Sequence, residues 1–381
     1  MLATGSRTPI GRFGGGLARL GGVALGAAAV RGVLAGGHGL VPDHAMLGCV
    51  LQAAQGQNPA RQAAIGGGAP TSTSGITLND VCLAGMSSVS LGALLVRSGH
   101  AGVVLAGGFD SMSRAPHATV MRGGVPNGDA TLIDVLIRDG LWCAYDDQGM
   151  GPQADATTTE MGISRADQDA FAAASHQRAI AARDAGRLAD EIVPLDVAGR
   201  TMTDDEGIRA DSTPEKLATL RPAFTPDGTI TAGNASQLSD AGAAGLLTSA
   251  ARARAAGLEP LAWIVDHATV AGPDPSLHLK PARAARLVLE RHGIAPRDVD
   301  RWEINEAFAS VVLASMTDMD IDHDRVNVNG GAIALGHPLG ASGFRLVLTL
   351  AMEMARSGAT LGVAAICGGG GQGEAVLLRR P

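Results

Sequence analysis

The feature of this sequence that most constrains its fold is the repeated interruption of short Val, Leu and Ile runs by glycine. The chain carries 53 glycines, whereas its aromatic residues are only six Phe, three Trp and one Tyr. A core of small aliphatic side chains brings backbones close together, and glycine permits the tight turns that such packing needs. This pattern therefore predicts a compact α/β protein whose strands and helices are joined by short connections.

The composition narrows the classes of protein to which the chain can belong. With 381 residues, 46% of them hydrophobic, it is long enough for two or three domains. A net charge of −7, with no basic and aromatic stripe, argues against a nucleic-acid partner. We find no secretory signal and no apolar run long enough for a membrane span. Four cysteines without CxxC spacing predict reduced thiols in the cytoplasm, and neither a metal site nor a disulfide framework.

Apolar periodicity predicts alternating strands and helices in the first part of the chain. A helix is expected over residues 23–34 and a buried strand over residues 46–51. A second strand, over residues 76–82, leads into a helix over residues 87–97, and a third strand follows over residues 102–106. The order of these elements is typical of an α/β domain.

The character of the chain changes between about residues 111 and 233, where charged residues, prolines and turns become frequent. This change indicates an inserted loop subdomain. Within it, Ser164 is expected to cap a helix over residues 165–185, with Asp167 in position for a capping box. Apolar α/β character returns at residues 241–256.

A short internal repeat suggests that the chain has two similar halves. The tripeptide Arg-Ser-Gly occurs at residues 97–99 and again at residues 356–358, each time between a predicted helix and an apolar run that ends in glycines. Two such halves would bring two strand–helix junctions face to face. Because helix–glycine–strand units look alike in many proteins, a coincidental likeness is the alternative.

The segment NDVCLAGMSS contains the first candidate catalytic residue, Cys82. The thiol follows a predicted strand and precedes a predicted helix, where free N–H groups and the helix dipole stabilise a thiolate. The small residues after it would let a substrate approach. A buried structural cysteine is the alternative, because free cysteine is among the most buried residue types.

The segment VNVNGGAIALGHPLGASG contains the second candidate, His337. Five glycines in this stretch predict a shaped loop that leads into a helix, and Pro338 restricts the backbone next to the histidine. Imidazole is well suited to take a proton from a thiol near neutral pH. A phosphate-binding loop is the rival interpretation, but the GxxxxGK[ST] pattern is absent.

Two further segments carry polar groups of the same kind. In ICGGGGQG, Cys367 ends an apolar strand, and the glycines after it could direct backbone N–H groups at one point, as an oxyanion hole requires. A buried strand-end cysteine before a flexible turn is the alternative. In WEINEAFAS, Asn305 could hold a water or polarise a carbonyl, although a helix N-cap is the more common use of Asn at such a place.

Together these segments resemble the thiolase family over nearly the whole chain. The family's blocks occur in order: RTPIGRFGG, NDVCLAGMSS, AGGFDSMSRAPH, TAGNASQLSDAGAA, NEAFA, NVNGGAIALGHPLGASG and CGGGGQGEAVLL. The resemblance implies an α/β fold with two similar halves in a five-layer α/β/α/β/α sandwich. The N-terminal half would cover residues 1–256, with the loop subdomain that binds coenzyme A (CoA) at about 111–233, and the C-terminal half residues 257–381.

The resemblance also implies an activity, namely acyl transfer that forms or cleaves a 3-ketoacyl-CoA by Claisen chemistry. Cys82 would carry the acyl group as a thioester, and His337 would deprotonate it. His337 and a water held by Asn305 would form one oxyanion hole, and the backbone N–H groups of Cys82 and Gly369 would form the other. Cys367 would move the proton of the second acyl-CoA or protonate the leaving CoA.

Substrate contacts follow from the same resemblance. Ser249 would contact the pantetheine of CoA, Met150, Ala307 and Phe308 would line the acyl pocket, and Arg221 is the candidate for the adenine or phosphate end. Acyl-CoA and CoA would be substrates, with no metal or redox cofactor. Family members are usually homodimers or homotetramers. A thiolase-like protein that only binds acyl-CoA or lipid is the alternative, and loss of a catalytic residue would indicate it.

The sequence departs from the family pattern at three places that bear on the pocket. Leu83 follows the candidate nucleophile where a small residue is usual. Gly149 stands where short-chain thiolases have a histidine before Met150. The segment SLHLKPARAA, which includes Lys280, lacks the usual Gly-Pro. These departures leave the acyl chain length open.

Overall fold

The computed structural model describes residues 1–124 and 127–381, and its elements alternate as the sequence predicts. In chain order the strands are β1 (Leu2–Arg7), β2 (Gly11–Arg12), β3 (His44–Gly48), β4 (Ser74–Leu78), β5 (Val103–Ser111), β6 (His117–Ala118), β7 (Ile133–Asp134), β8 (Trp142–Cys143), β9 (Gln148–Gly149), β10 (Leu195–Val197), β11 (Arg200–Met202), β12 (Ser239–Thr248), β13 (Trp263–Ala271), β14 (Arg301–Ile304), β15 (Leu361–Gly368) and β16 (Gln372–Arg379). The helices are α1 (Gly22–Gly36), α2 (Pro59–Gly66), α3 (Ala84–Arg97), α4 (Met150–Glu160), α5 (Arg165–Asp184), α6 (Pro214–Ala218), α7 (Ala250–Ala255), α8 (Lys280–Arg291), α9 (Ala309–Met319), α10 (Ala332–Leu335) and α11 (Leu339–Ser357). None of the helices in the described ranges is long and apolar enough to cross a membrane.

Two mixed sheets form the framework, and they share one strand pattern. The first has the order β1-β12-β5-β3-β4, with β2 also paired to β12, and the second has the order β13-β16-β15-β14. In the first, β5 lies between the parallel strand β3 and the antiparallel strand β12. In the second, β15 lies between the parallel strand β14 and the antiparallel strand β16. The internal repeat is therefore real: each Arg-Ser-Gly tripeptide joins a helix to the equivalent strand of its sheet.

The five layers of the predicted sandwich are present. Helices α1 and α2 cover the outer face of the first sheet, and α8, which packs against α9, covers the outer face of the second. Helices α3 and α11 lie between the sheets and contact both. The largest apolar cluster of the chain fills this central layer and joins the two sheets. The predicted fold is thus confirmed.

Glycine brings the two central helices into close contact near their N-terminal ends. A Cβ atom on Gly85 of α3 would lie only 2.6 Å from the carbonyl oxygen of Gly340. A Cβ atom on Gly343 of α11 would lie only 2.3 Å from the backbone nitrogen of Met86. Any side chain at either glycine would push the helices apart, because buried backbone atoms cannot move aside. The loops that precede α3 and α11 are therefore held next to each other.

The predicted boundaries are close to the observed ones, with one difference that matters. Helix α5 begins after Ser164, whose hydroxyl accepts the N–H of Asp167, as the capping pattern predicted. The strand predicted over residues 76–82 ends earlier, because β4 stops at Leu78. Cys82 thus lies outside the strand, in a turn.

The segment between β5 and β12 differs from the two sheets in its organisation. It consists of the short strands β6 to β11 and the helices α4 to α6, joined by long connections. The predicted insertion at about 111–233 falls within this segment. Residues 125–126 of that range lie outside the described residues.

Candidate active site

Cys82 lies in a tight turn between β4 and α3. Its neighbour Val81 has a φ of +50°, a conformation that side chains other than glycine rarely adopt. The Val81 N–H donates to Oδ1 of Asn79 at 3.1 Å, which helps to hold the turn. Burial raises the pKa of the Cys82 thiol to about 12, and the N–H groups of Gly369 and of Cys82 itself, which point at the sulfur, oppose this rise. The thiol is therefore neutral at rest.

His337 is held rigidly at the start of α11. Its backbone N–H donates to the carbonyl of Gln237 at 3.0 Å. Nδ1 lies 2.6 Å from Oγ of Ser342, and that hydroxyl donates to the carbonyl of Pro338 at 2.9 Å. Because the hydroxyl proton is already used, Nδ1 carries the hydrogen of this contact and Nε2 is left as the acceptor. Burial, assisted by the charge of Arg345, lowers the pKa of His337 to about 3, so the imidazole is neutral.

Asn305 lies on the far side of the imidazole. Its Nδ2 atom is 3.4 Å from Nε2 of His337, and the whole side chain is buried. Oδ1 of Asn305 has no hydrogen-bond partner in the part of the chain that the structure describes. Buried polar atoms are rarely left unpaired, so this atom is available to a water or a substrate group. Helix α9 begins at Ala309 with Phe308 as its N-cap, so Asn305 does not cap it.

Cys367 and Gly369 enter the site from the end of β15. Cys367 is buried, and its pKa is raised first by burial and then by the nearby Cys82. Gly368 lies between them and packs against Leu83, because a Cβ atom on Gly368 would be 2.1 Å from Cδ1 of that leucine. Leu83 is thus buried against the end of the strand, and it does not line the cavity described next.

One small cavity of about 60 Å³ joins these groups. Its walls include Cys82, His337, Cys367 and Gly369. The remaining lining residues are apolar or small, namely Gly140, Leu141, Met150, Ser236, Leu277, Ala307, Phe308 and Leu339. The structure therefore brings the predicted catalytic residues Cys82, His337 and Cys367 together with the three predicted pocket residues. Asn305, the fourth predicted catalytic residue, contacts His337 but does not line the cavity.

An open cleft of about 680 Å³ leads from the surface to this cavity. The two spaces share the four lining residues Leu141, Met150, Ser236 and Phe308. The cleft is largely apolar, with Phe13, Trp142 and Phe224 in its walls, and it also contains the arginines Arg12 and Arg209. Gly149, where the family pattern has a histidine, is the N-cap of α4 and also lines the cleft.

Two predicted substrate contacts do not reach either space. Ser249 is exposed and caps α7, because its Oγ accepts the N–H of Arg252 at 3.3 Å. It lies just beyond the end of β12. Arg221 is exposed on the surface and lines neither the cleft nor the cavity. The residue that the sequence analysis missed is Ser236, which lies within the TAGNASQLSDAGAA block and lines both spaces.

No cluster of three or more His, Cys, Asp or Glu side chains within residues 1–124 and 127–381 has an arrangement that could hold a metal ion. All four cysteines are free thiols. The groups that face the cavity are two thiols, an imidazole and backbone N–H groups, which suit nucleophilic attack and proton transfer. The arrangement combines a partly buried nucleophile that faces the cavity, a neutral base, and the N–H groups of Cys82 and Gly369.

The five-layer architecture and the paired thiols at one cavity define the class, an acyltransferase. The chain belongs to the thiolase family, since the family's "Thiolase, N-terminal domain" matches residues 1–251 and its "Thiolase, C-terminal domain" matches residues 258–380. The predicted family and enzyme class are thus confirmed, and the alternative of a binding protein without activity is not favoured.

The sequences of named relatives match this chain over its full length. A probable acetyl-CoA acetyltransferase of Mycolicibacterium smegmatis is 46% identical over 388 residues, which cover 100% of both chains. An acetyl-CoA acetyltransferase of Pseudomonas aeruginosa is 47% identical over 389 residues, which cover 100% of this chain and 99% of the relative. The crystal structure of the Bacillus anthracis acetyl-CoA acetyltransferase matches with a TM-score of 0.96 and 36% identity, covering 100% of this chain and 98% of the other.

Proposed function

We propose that the chain condenses two acyl-CoA molecules, or cleaves a 3-ketoacyl-CoA with CoA, through an acyl group carried on Cys82. The observation that carries this proposal is the single cavity that contains Cys82, His337, Cys367 and Gly369. Relatives that bear the name acetyl-CoA acetyltransferase over their whole length support the choice of substrate class.

The first step is attack of the Cys82 sulfur on the thioester carbonyl of an acyl-CoA. Both Cys82 and His337 are neutral before substrate arrives, so the proton must leave the sulfur as the new C–S bond forms. Nε2 of His337 is the acceptor that takes it, because Nδ1 is occupied by Ser342 and the contact of Nε2 with Nδ2 of Asn305 is long, at 3.4 Å. The bond to Ser342 thereby keeps the base in the correct tautomer.

Two sets of donors are available for the oxyanions of the two steps. The N–H groups of Cys82 and Gly369 converge near the sulfur and suit the oxyanion formed at the carbon bonded to Cys82. His337 and Asn305, with a water between the amide and the substrate, suit the oxyanion of the second acyl-CoA. The unpaired Oδ1 of Asn305 supports this role, since a water would satisfy it.

Cys367 handles one proton in each half-reaction. Its thiol gives a proton to the departing CoA thiolate, and the resulting thiolate removes a proton from the α-carbon of the second acyl-CoA. The carbanion attacks the acyl carbon on Cys82, and Cys82 leaves as a thiolate that recovers the proton held by His337. Every proton is accounted for, so the proposal includes no metal or redox cofactor.

Both thiols must stay reduced, and we propose the cytoplasm as the compartment.

The cleft supports binding of CoA, and the cavity supports a short acyl group. Ser236, at the junction of the two, is the residue we propose for the pantetheine contact, because Ser249 lines neither space. Arg12 and Arg209 are the cleft cations available to the phosphates of CoA. The cavity of about 60 Å³ is small, which favours a short acyl group beside Cys82. We therefore propose acetyl as the acyl group.

We further propose that the enzyme is a homodimer joined along β4. This strand is at the edge of the first sheet, and Ile76 on it is 52% exposed. Leu91 and Leu94 of the neighbouring helix α3 are 40% and 45% exposed. An exposed edge strand beside apolar side chains is suited to pairing with a second copy. Sedimentation of wild type and of Leu94→Glu tests this, and a wild-type monomer would contradict it.

The decisive experiment for the activity is mass spectrometry after incubation with acetyl-CoA. We expect one acetyl group per chain, located on the peptide that contains Cys82. Cys82→Ala should abolish it, whereas Cys143→Ser, at a buried thiol away from the cavity, should retain it. An acetyl group on another residue, or an unlabelled wild type, would contradict the proposal.

A further inference from the structure

Lys280 is buried in a way that the stability of the protein does not explain. Its side chain is 1% exposed, and its Nζ atom lies 3.1 Å from Oδ1 of Asp274, a carboxylate that is 49% exposed. Lys280 is also the first residue of α8, where a positive charge opposes the helix dipole. Burial of a cation is costly, and here its only salt-bridge partner in the described residues is half in solvent.

The backbone of Lys280 sits directly beside the strand pair that carries Cys367. In the second sheet, Cys367 of β15 is paired with Gly373 of β16. A Cβ atom on Gly373 would lie 2.4 Å from the carbonyl oxygen of Lys280 and 2.8 Å from its Cβ atom. Paired residues on neighbouring strands project to the same face of the sheet. Lys280 therefore lies on the face from which the Cys367 side chain projects.

The other charged groups near β15 lie elsewhere. Glu374 and Glu303 pair with Ile366 and Ala364, whose side chains project to the opposite face, toward the central helices. Arg345 lies on that same side and binds Glu303 at 2.6 Å.

On the Cys367 face, His278 is bonded to Thr158 and Ser310, and its pKa is lowered by burial to about 4, so it is neutral. Cys82 and His337, neutral at rest, face Cys367 across the cavity. In the resting enzyme Lys280, with Asp274 as its counter-ion, is the buried cation packed on this face, and His337 adds a second positive charge only while it holds the proton of Cys82.

We propose that Lys280 is an electrostatic positioning residue that stabilises the thiolate of Cys367, and that Asp274 moderates its effect. This inference rests on the proposed function, in which Cys367 becomes a thiolate when it protonates the leaving CoA and is restored when it takes the α-proton of the second acyl-CoA. The ammonium of Lys280 takes no part in the proton transfers and offsets the transient negative charge of the thiolate. Lys280 lowers the pKa of Cys367 against the rise caused by burial, which agrees with this role.

The test is the rate at which iodoacetamide alkylates Cys367 in the full-length protein, followed on the Cys367 peptide from neutral to alkaline pH. Lys280→Met should slow alkylation about tenfold at a given pH, because a neighbouring cation lowers the pKa of a thiol by about one unit or more. Lys280→Arg keeps the charge and should stay near wild type. Asp274→Asn frees the ammonium from its counter-ion and should accelerate alkylation.

A purely structural salt bridge predicts a different result. Both Lys280→Met and Asp274→Asn would then act in the same direction or leave alkylation unchanged, and either outcome overturns the proposal. In turnover, Lys280→Met should lower the kcat of condensation about tenfold with little change in KM. If wild type forms no acyl-enzyme, the proposed function fails, whereas the alkylation rates still decide the role of Lys280.

Discussion

Nδ1 of His337 lies 2.6 Å from Oγ of Ser342, five residues later in the chain, and this contact fixes which nitrogen can act as a base. The hydroxyl of Ser342 donates to the carbonyl of Pro338, so it can only accept from the imidazole. The first turn of α11 thus sets both the direction and the tautomer of the histidine that opens it.

We expect Ser342→Ala to lower the rate of acyl-enzyme formation about five- to tenfold, which corresponds to the ~1 kcal/mol of one hydrogen bond. The measurement is rapid quenching after mixing with acetyl-CoA. Ser6→Ala removes a buried hydroxyl that likewise donates to a carbonyl, at 3.0 Å, but far from the cavity. Equal rates for the two variants would show that Ser342 does not control the base.

Removal of the second thiol should separate the two half-reactions. In Cys367→Ala the acyl-enzyme should still form, more slowly, because a thiolate can leave without a proton. Condensation should fall by about two orders of magnitude or more, since no group takes the α-proton. Intact mass and a condensation assay measure the two steps, and loss of both together would contradict the division of roles.

Glu374 should make the stability of the protein depend on pH near neutrality. It is buried in β16 and accepts from Ser87 and Ser90 at 2.7 and 2.5 Å. Burial raises its pKa from 4.5 to about 7, and the charge of Asp80 adds to the rise. Because the folded pKa exceeds the unfolded one, protonation of Glu374 favours the folded state. This contribution to stability is complete below pH 4.5 and is lost as the pH rises to about 7.

Glu374→Gln removes the charge but keeps the shape, so its free energy of unfolding should fall less than that of the wild type over this window. The wild type should lose up to about 1.4 kcal/mol per pH unit relative to the variant. Urea unfolding at about pH 5 and about pH 8 checks this. Glu259→Gln, at an exposed carboxylate, should behave as wild type. A constant difference between wild type and Glu374→Gln at the two pH values would refute the assignment.

Leu83 and Gly368 should prove energetically coupled. Since Leu83 is fully buried and would meet any side chain at position 368, Gly368→Ala should destabilise the protein by about 1–3 kcal/mol. In a Leu83→Ala background the same change should cost much less, because the space is already vacated. Urea unfolding of the four proteins measures the coupling, and an equal cost in both backgrounds would disprove it.

Much of the fold and the catalytic set could be predicted from sequence because each depends on local patterns. Cys82, His337 and Cys367 each lie at a junction between elements. Small residues, proline or glycine beside them make these junctions recognisable in the sequence. Boundaries were less certain where small residues blur them: Ala84 and Gly85 begin α3, although the helix was expected from residue 87.

The remaining features depend on contacts between distant segments. Ser249 and Ser236 both flank β12, and only the three-dimensional path of the chain shows that Ser236 reaches the cavity. The effect of Leu83 could not be judged because its partner, Gly368, is far along the sequence. The role of Lys280 depends on the register between β15 and β16, which no local pattern reveals.

The position of β16 in the second sheet has a consequence for the synthesis of the protein. This strand follows every other strand in the chain, yet it pairs between β13 and β15 rather than at an edge. The loop that leads from β15 into it also carries Gly369. During translation, Cys82 therefore emerges from the ribosome long before the strand that completes its surroundings. A partly made chain carries the nucleophile without the N–H of Gly369, so the site for the oxyanion is completed only with the last part of the sheet.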